Sequence, residues 1–363
     1  MSKAAELAAL IGSQTALSHR NIIINGAMQV WQRGTTIDSI SSGKYLCDRW
    51  RINHSGTDGN VDVDRSTDLP SGQGFGYSQK ISMDASESSL DAADKLVIQQ
   101  KFEGQNLQLL AKGTSGAKKT TVSFFVKSSV ASTYTVELVD NDNTRQLSKS
   151  YTINSANTWE QKSLTFEGDT SGSLDTDTNT SMTLNIYIDT GTDHTSGTFN
   201  DSAWASTDDT KRVFNTTGWL ESTSPEFYIT GVQWELGEQA TPFEHRTFAD
   251  DLAACQRYYY QPVQGSYLIV GMNDTTSNCE TSFGLPVEMR ADPSLTTSGT
   301  ASEYTIRQNG SNNACTSVPS ILSGGGKNVL AIRFTASSAL NTSFASYCFG
   351  NTSGADLKID AEL

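Results

Sequence analysis

Two tryptophans in polar, loop-like sequence are the side chains best suited to bind a ligand. Trp204 lies in FNDSAWASTDD and Trp219 in NTTGWLEST, whereas Trp31, Trp50 and Trp234 lie in strand-like segments and are expected in the core. Sugar recognition needs a flat aromatic face for the C–H side of the ring and nearby hydrogen-bonding groups for the hydroxyls. Trp204 and Trp219 are therefore the predicted carbohydrate-binding residues; the alternative is that each packs under a loop.

A second group of candidate ligands is the run of oxygen-bearing side chains at Asp175, Asp177 and Asn179. Their alternation is typical of a calcium loop. Thr180, however, stands where the sharp turn of an EF-hand requires Gly, and Ile186 stands where the bidentate Glu belongs. The spacing excludes an EF-hand and leaves two alternatives, a looser structural calcium site or a plain polar turn.

Residues for catalysis are not grouped in the sequence. The histidines have no companion motif that would make one of them a general base beside a nucleophile. No G-x-S-x-G, H-E-x-x-H or P-loop motif occurs, and carboxylates are too numerous for the sequence to identify a glycosidase pair. We therefore expect a protein that is not an enzyme and needs no cofactor. The four histidines are His19, His54, His194 and His245.

Net charge and hydropathy exclude several partners. The formal charge of -14 and the pI near 4.7 repel phosphate backbones and anionic lipid, and no apolar run approaches the roughly 18 to 20 residues that span a bilayer. We expect no nucleic acid partner, no membrane insertion and no signal peptide. The five cysteines are far apart and lack zinc-site spacing. They are predicted to be free thiols of a protein made in a reducing cytoplasm.

The elements that must position these residues are mostly strands. One short helix is predicted over residues 3–11, with Gly12 at its end; it would dock either on its own β-domain or on a neighbouring protein. Beyond residue 20 the apolar residues alternate with period two, and each strand is expected to have one wet face. The clearest strand segments are 120–127, 133–139, 183–189, 226–236, 328–337 and 343–349.

Local breaks in the pattern predict where the chain bends and where it is exposed. In residues 226–236 the apolar phase changes at Gly231, which predicts a β-bulge there. Residues 168–210 are rich in Asp, Thr, Ser, Gly and Asn, and predict long surface loops at one end of the sandwich that could bind a ligand. Asp48 and Arg246 are predicted to form a structural ion pair that joins the two ends of the domain.

A helix is predicted over residues 247–256, where it separates two β-domains. Thr247 is its predicted cap, and its predicted apolar stripe is Phe248, Leu252 and Cys255. No repeat of fixed period occurs, which argues against a β-helix depolymerase or a propeller. The predicted fold is all-β: a jelly-roll β-sandwich followed by a smaller β-sandwich domain. The predicted parts are an N-terminal helical segment, the jelly-roll, the linker helix and the C-terminal β-domain, over residues 1–20, 21–246, 247–256 and 257–363.

Several separated segments resemble a family of tailed-phage virion proteins, described as tail-fibre or related appendage proteins of marine and cyanobacterial phages. The resemblance covers residues 20 to 261 well, and residues 262 to 363 only loosely. The segments that carry it are RNIIINGAMQVWQRGT (20–35), YLCDRW (45–50), QKIS (79–82), GVQWELGEQATPFEHR (231–246) and CQRYYYQ (255–261).

The resemblance implies a jelly-roll like those of carbohydrate-binding modules, which often carry a structural calcium. It also implies a homotrimer that is attached to other virion proteins by the N-terminal segment, is located in the virion and contacts host surface polysaccharide during adsorption. Two alternatives remain open at this point. One is a purely architectural head decoration or tail spacer, and the other is a polysaccharide-degrading tail enzyme.

Overall fold

The computed structural model describes residues 19–40, 42–56, 60–84, 86–262, 268–297, 299–322, 325–337, 340–351 and 354–363. The helix predicted over residues 3–11 lies outside the described residues, as does nearly all of the predicted docking segment, residues 1–20. The chain divides into two compact units, residues 1–251 and 252–363.

The first unit is built from two antiparallel sheets. One has the order β1-β4-β5-β13-β7-β10, and the other has the order β12-β9-β8-β11-β6-β3-β2. Their facing apolar side chains form one core, which makes the unit a jelly-roll β-sandwich. Its strands are β1 (Thr36–Ile37), β2 (Lys44–Tyr45), β3 (Arg51–Ser55), β4 (Val61–Ser66), β5 (Ser78–Met83), β6 (Lys95–Glu103), β7 (Thr120–Ser128), β8 (Thr133–Asp140), β9 (Arg145–Thr152), β10 (Glu160–Phe166), β11 (Thr180–Thr190), β12 (Ala205–Ser206) and β13 (Glu226–Leu236).

The alternation of apolar residues explains why these segments form strands. In β6, Leu96, Ile98 and Phe102 all belong to the core between the sheets, as expected for a strand whose period is two. The expectation of one wet face is wrong for β7, in which every residue is buried. The reason is a second apolar cluster in which Phe75 covers the outward-facing Phe125 of that strand.

The predicted bulge at Gly231 is confirmed. The register between β13 and β7 shifts between Thr230 and Gln233, and Gly231 has a φ of 63°. This left-handed conformation favours glycine because it has no Cβ. The shift lets both halves of the strand bury their apolar residues, since Phe227 and Trp234 both lie in the core although their sequence phases differ.

Two buried asparagines organise the start of the first unit. Asn21 accepts backbone N–H groups from Ile23 and Trp234, each at 3.0 Å. Asn25 accepts from the N–H of Val30 at 3.0 Å and donates to the carbonyls of Val30 and Asp48, also at 3.0 Å. These two asparagines near the start of the first unit therefore satisfy buried backbone groups, which is a structural role.

The predicted ion pair between Asp48 and Arg246 is wrong. Asp48 is buried and accepts hydrogen bonds from Arg33 at 3.1 Å and from the backbone N–H of Gln32 at 2.6 Å. Arg246 forms its ion pair with Glu244 at 3.5 Å. Each charge has a partner that is closer in sequence, so the long-range pair does not form.

Arg246 nevertheless joins the two ends of the unit, through backbone carbonyls. Its guanidinium donates to the carbonyl of Asn21 and, at 3.4 Å, to that of Ile23, while Glu244 accepts the N–H of Asn21 at 2.8 Å. We expect Arg246→Ala to lower the free energy of unfolding by about 1–3 kcal/mol, because it removes charged hydrogen bonds to part-buried carbonyls. Thermal denaturation followed by circular dichroism measures this, and an unchanged midpoint relative to the wild type would contradict it.

The predicted helix is present as α1 (Phe248–Gln256), and the division between the two units falls within it. The Thr247 hydroxyl accepts the N–H of Asp250 at 3.2 Å and so caps the helix as expected. The predicted apolar stripe is only partly correct. Cys255 is fully buried, but the Phe248 side chain is 55% exposed.

The second unit contains a closed barrel, β15-β16-β20-β19-β18-β21, and a three-stranded sheet, β14-β22-β17. The all-β prediction is confirmed, but a barrel stands where a second sandwich was expected. No helix among the described residues is long and apolar enough to cross a membrane. The strands are β14 (Tyr259–Tyr260), β15 (Leu268–Asn273), β16 (Asn278–Gly284), β17 (Ser294–Thr297), β18 (Tyr304–Gln308), β19 (Ser311–Ile321), β20 (Val329–Ala336), β21 (Ala345–Gly350) and β22 (Leu357–Asp360).

The five cysteines are buried thiols that form no disulfide, as predicted. Cys279, Cys315 and Cys348 all lie in the core of the second unit. Burial raises the pKa of Cys315 to about 12. At neutral pH this group is therefore a protonated thiol that packs as a small apolar side chain.

Candidate functional site

The two predicted sugar-binding tryptophans do not share an open surface. Trp219 lies in the core with no exposed surface, so its ring has no face that could stack on a sugar; the prediction is wrong for this residue, and packing is its role. Trp204 is partly buried, packs against the same core and donates its indole N–H to the carbonyl of Glu167 at 2.7 Å.

The predicted calcium loop has the hydrogen bonds of a polar turn. Asp177 accepts the backbone N–H of Asn179 at 2.9 Å and also the side-chain amide of that residue. The N–H of Asp175 donates to Asp142 at 2.9 Å. In the part of the chain that the structure describes, no group of three or more His, Cys, Asp or Glu side chains is arranged to hold a metal ion.

A shell of oxygen atoms that the sequence did not reveal lies beside Trp204, and a lysine fills it. The Lys112 ammonium is 2.5 Å from the carboxylate of Asp140 and 3.1 Å from that of Asp169. It also donates to the carbonyls of Ser171 at 2.7 Å and Gly172 at 2.9 Å. Two carboxylates and two carbonyls are typical ligands of calcium, but here the cation is the side chain of Lys112, which is 4% exposed.

Arginine completes this buried cluster. Arg145 donates to Asp169 with two nitrogens, at 2.7 and 3.1 Å. Burial raises the pKa of Asp169, but the hydrogen bonds from Arg145, Ser171 and Lys112 outweigh it and hold this pKa below its usual range. The cluster fixes the start of the loop region that follows residue 168, which is a structural function.

A cavity with a volume of about 290 Å³ lies on the outward face of the seven-stranded sheet. We call it the sheet groove. Strands β3, β6, β8 and β11 supply its floor, and residues 194, 209 and 212 of the following loops supply its rim. The predicted surface loops at 168–210 therefore contribute to a cavity at their C-terminal end. The lining residues are Arg51, Asn53, Lys95, Val97, Gln99, Lys101, Val139, Asn141, Thr183, Asn185, Tyr187, His194, Asp209 and Arg212.

A row of polar side chains crosses four strands at the floor of the sheet groove and ends at Glu137, which is buried beneath the floor. Arg51 is paired in register with Gln99, Gln99 with Asn185, and Asn185 with Glu137. Arg51 donates to the Gln99 carbonyl at 3.0 Å, the Gln99 amide donates to Asn185 at 2.7 Å, and the Asn185 amide donates to Glu137 at 2.7 Å. We call these four residues the cross-strand row.

Glu137 is the acceptor at the end of the row. It is fully buried and also accepts hydrogen bonds from Arg212 at 2.9 Å and from the Tyr187 hydroxyl at 3.2 Å. Burial raises the pKa of Glu137 in spite of these donors, and burial together with Glu137 raises the pKa of Tyr187. Arg212 also donates to Asp209 at 2.6 Å, which lowers the pKa of that carboxyl group.

The sheet groove was not predicted, because most of its lining residues lie on strands and not in the loops where ligand residues were expected. A signal was present in the polar residues that alternate with the core residues of predicted strands, such as Glu137 in residues 133–139 and Asn185 in residues 183–189. Only strand pairing brings these residues together. In the paired strands, the lining residues offer amide, guanidinium and ammonium groups beside apolar Val97 and Val139. This arrangement is suited to a ligand with both hydroxyls and C–H faces.

The fold and the groove together define the first unit as an all-β domain, a jelly-roll sandwich with a polar cavity on one sheet. No protein-family model matches the chain, and no curated protein has a matching sequence.

Solved structures show distant similarity. The chain is similar to the Family 11 carbohydrate-binding module of a Clostridium thermocellum cellulosomal cellulase (14% identity, 55% of this chain, 99% of that chain, TM-score 0.28). It is also similar to TmCBM61 in complex with β-1,4-galactotriose (10% identity, 61% of this chain, 100% of that chain, TM-score 0.30). A third structure is the enzymatically active domain of tailspike protein 4 of bacteriophage CBA120 (13% identity, 55% of this chain, TM-score 0.30). The match covers only 22% of that chain. These values describe a distant similarity in fold only.

Proposed function

We propose that this chain is a non-enzymatic virion appendage protein of a tailed phage, and that its sheet groove binds polysaccharide on the host surface. The observation that carries the binding proposal is the cross-strand row, in which hydrogen bonds to the buried Glu137 and between neighbours hold Arg51, Gln99 and Asn185 in line along the groove. The attachment to a phage particle rests on the resemblance of residues 20–261 to tail appendage proteins.

The chemistry of the row fits the hydroxyl groups of a sugar chain. Amides donate and accept, and the hydroxyl of a sugar needs both kinds of partner. Arg51, Gln99 and Asn185 line the groove from the neighbouring strands β3, β6 and β11, at about 4.8 Å spacing, so the row presents polar groups at regular intervals over roughly 10 Å. A linear polymer with repeated hydroxyls fits such a surface better than a compact apolar ligand does.

Two features of the sheet groove support binding without catalysis. Among the described residues that line it, Asp209 is the one carboxylate, and its hydrogen bond from Arg212 lowers its pKa, so that it is a poor proton donor at neutral pH. Glu137 lies beneath the surface with no exposure, and its oxygens accept from three side chains. A glycosidase needs two accessible carboxyl groups on either side of the scissile bond.

The binding proposal is tested by removing one link of the row. We expect Gln99→Ala to weaken polysaccharide binding about 5- to 10-fold, which corresponds to the loss of one or two hydrogen bonds. A glycan microarray identifies the ligand, and isothermal titration calorimetry measures the affinity. Gln161→Ala is the matched control, because Gln161 is an exposed glutamine of β10 in the opposite sheet. Equal affinity of the two variants, with both still folded, would remove the sheet groove as the binding site.

The virion proposal needs a separate experiment. We propose a homotrimer located in the virion and attached to other virion proteins through residues 1–20. Native mass spectrometry of the purified chain should give a trimer, and a cryo-electron microscopy map of the particle should place the chain at the tail surface. Density enclosed by other tail or head proteins would make the protein purely architectural. A monomer in solution would contradict the assembly part of the proposal.

A further inference from the structure

The sheet groove differs in charge from the rest of the protein. The chain as a whole carries a formal charge of -14. Four cationic side chains nevertheless line the groove, against one lining carboxylate, Asp209. The buried Glu137 beneath the floor offsets part of the charge of Arg212. The cationic lining residues are Arg51, Lys95, Lys101 and Arg212.

Lys95 and Lys101 give the groove a cation on either side of the cross-strand row. Lys95, Gln99 and Lys101 lie on the same face of β6, because side chains on a strand alternate between its faces. The lysines are six positions apart, which corresponds to roughly 20 Å along the strand. Neither lysine belongs to the cross-strand row, so their charges are not required for the hydrogen bonds that join it.

Titrating groups in the groove respond to this concentration of positive charge. His194 on the rim has a lowered pKa, caused first by burial and then by the charge of Lys95. Asp209 also has a lowered pKa, caused first by the hydrogen bond from Arg212, with His194 and Lys95 adding to the effect. Both shifts have the sign that a positive potential produces.

We propose that the sheet groove binds an acidic polysaccharide, with Lys95 and Lys101 pairing with carboxylate or sulfate groups repeated along the chain. This inference rests on the proposed function of the same site. Ammonium groups form strong charge-assisted hydrogen bonds with such anions. An anionic polymer would be repelled by most of this acidic protein and attracted only where cations predominate, which would direct it to the groove.

Matched polymer pairs test the charge requirement. Polygalacturonate is compared with its carboxyl-reduced form, and dextran sulfate with dextran, by affinity electrophoresis and calorimetry of the full-length protein. We expect at least one acidic polymer to bind at least about 10-fold more tightly than its neutral counterpart. The pair that responds distinguishes a carboxylate from a sulfate ligand. Affinity should also fall as NaCl rises from about 0.05 M to about 0.5 M, because salt screens exposed charges.

The variants connect the charge requirement to the groove. We expect the double variant Lys95→Gln/Lys101→Gln to reduce binding of the acidic polymer about 10-fold or more. Lys119→Gln removes the same kind of charge from a residue outside the groove lining and should leave affinity unchanged. Thermal melting of each variant checks that it is folded, and the salt and polymer comparisons on the wild type need no variant.

Each other outcome has a distinct meaning. Tighter binding of neutral than of acidic polymers would overturn the inference and leave the proposed glycan-binding function intact. If no polysaccharide on a broad microarray binds, the proposed function itself fails. Equal competition by single-stranded DNA would show a general polyanion site and overturn the assignment to polysaccharide.

Discussion

The variant Lys112→Ala should unfold at a clearly lower temperature than the wild type. Removing the ammonium leaves the carboxylates of Asp140 and Asp169 close together and buried, with two backbone carbonyls facing the same space. Breaking a buried charge cluster typically costs about 3–5 kcal/mol, and for a unit of this size that lowers the melting temperature by roughly 10 °C. Differential scanning calorimetry measures the shift.

Lys119→Ala is the control, because Lys119 is 40% exposed and pairs only with surface carboxylates. The pKa of Asp169 is lowered, so its contribution to stability is present above the ordinary carboxyl range and is lost as pH falls through its lowered value. The difference between Lys112→Ala and wild type should therefore shrink in acid. Equal melting of the Lys112 and Lys119 variants at neutral pH would contradict the structural role of this cluster.

Calcium provides a second measurement on the same variant. The oxygens left by Lys112→Ala have the chemistry of a calcium site, so millimolar calcium should recover part of its lost stability. The same calcium titration of the wild type tests the loop at Asp175, Asp177 and Asn179, because Lys112 still fills the other position. A calcium-dependent rise in the wild-type melting temperature would support the predicted site in that loop. An equal rise in both proteins would count against binding at the vacated lysine position.

The variant Gly231→Ala should strongly destabilise the first unit. The backbone there has a φ of 63°, and an added Cβ would lie 2.4 Å from the ring of Phe75 and 3.0 Å from that of Phe125. The backbone conformation costs about 1–2 kcal/mol for a residue other than glycine, and overpacking adds about 1–3 kcal/mol. We expect a total loss of about 2–5 kcal/mol in the free energy of unfolding, measured by urea denaturation.

Gly218→Ala separates the two contributions. Gly218 has a similar φ of 76°, and no atom lies within 4 Å of the position of an added Cβ. It should therefore lose only the backbone part, about 1–2 kcal/mol. If the two variants are destabilised equally, the rings of Phe75 and Phe125 do not restrain the bulge.

Periodicity was sufficient to predict several long strands and the bulge of the first unit. Residues 120–127 and 133–139 are strands because their apolar residues alternate, and the phase change at Gly231 is a local feature that needs no tertiary information. The helix at 248–256 follows from a local cap and from its acidic first turn. Interactions within a few residues are encoded in a form that can be read along the chain.

Features that depend on distant partners could not be predicted in the same way. Asp48 and Arg246 were paired on sign alone, but geometry gives them Arg33 and Glu244. Trp219 lies in polar sequence, yet it is buried because the fold covers it with other elements. A tryptophan's exposure is a property of the tertiary structure, and the residues around it in sequence do not determine it.

The closure of the barrel is another non-local property. Strands of a sandwich and of a barrel share the same period, so the pattern in residues 257–363 is compatible with either. The barrel arises because β21 pairs with both β15 and β18. Those pairings join segments about 40 to 80 residues apart in sequence, and no local signal specifies them.

The hydrogen bonds of the cross-strand row have a consequence for the thermodynamics of binding. Arg51, Gln99, Asn185 and Glu137 restrain one another through hydrogen bonds within the sheet. Immobilising a flexible side chain at an interface costs about 0.5–1.5 kcal/mol in conformational entropy. Here that entropy is lost during folding, so a ligand meets a rigid template. For the proposed polysaccharide ligand, weak contacts to single sugar residues would then give measurable affinity, with little change in the backbone of the sheet on binding.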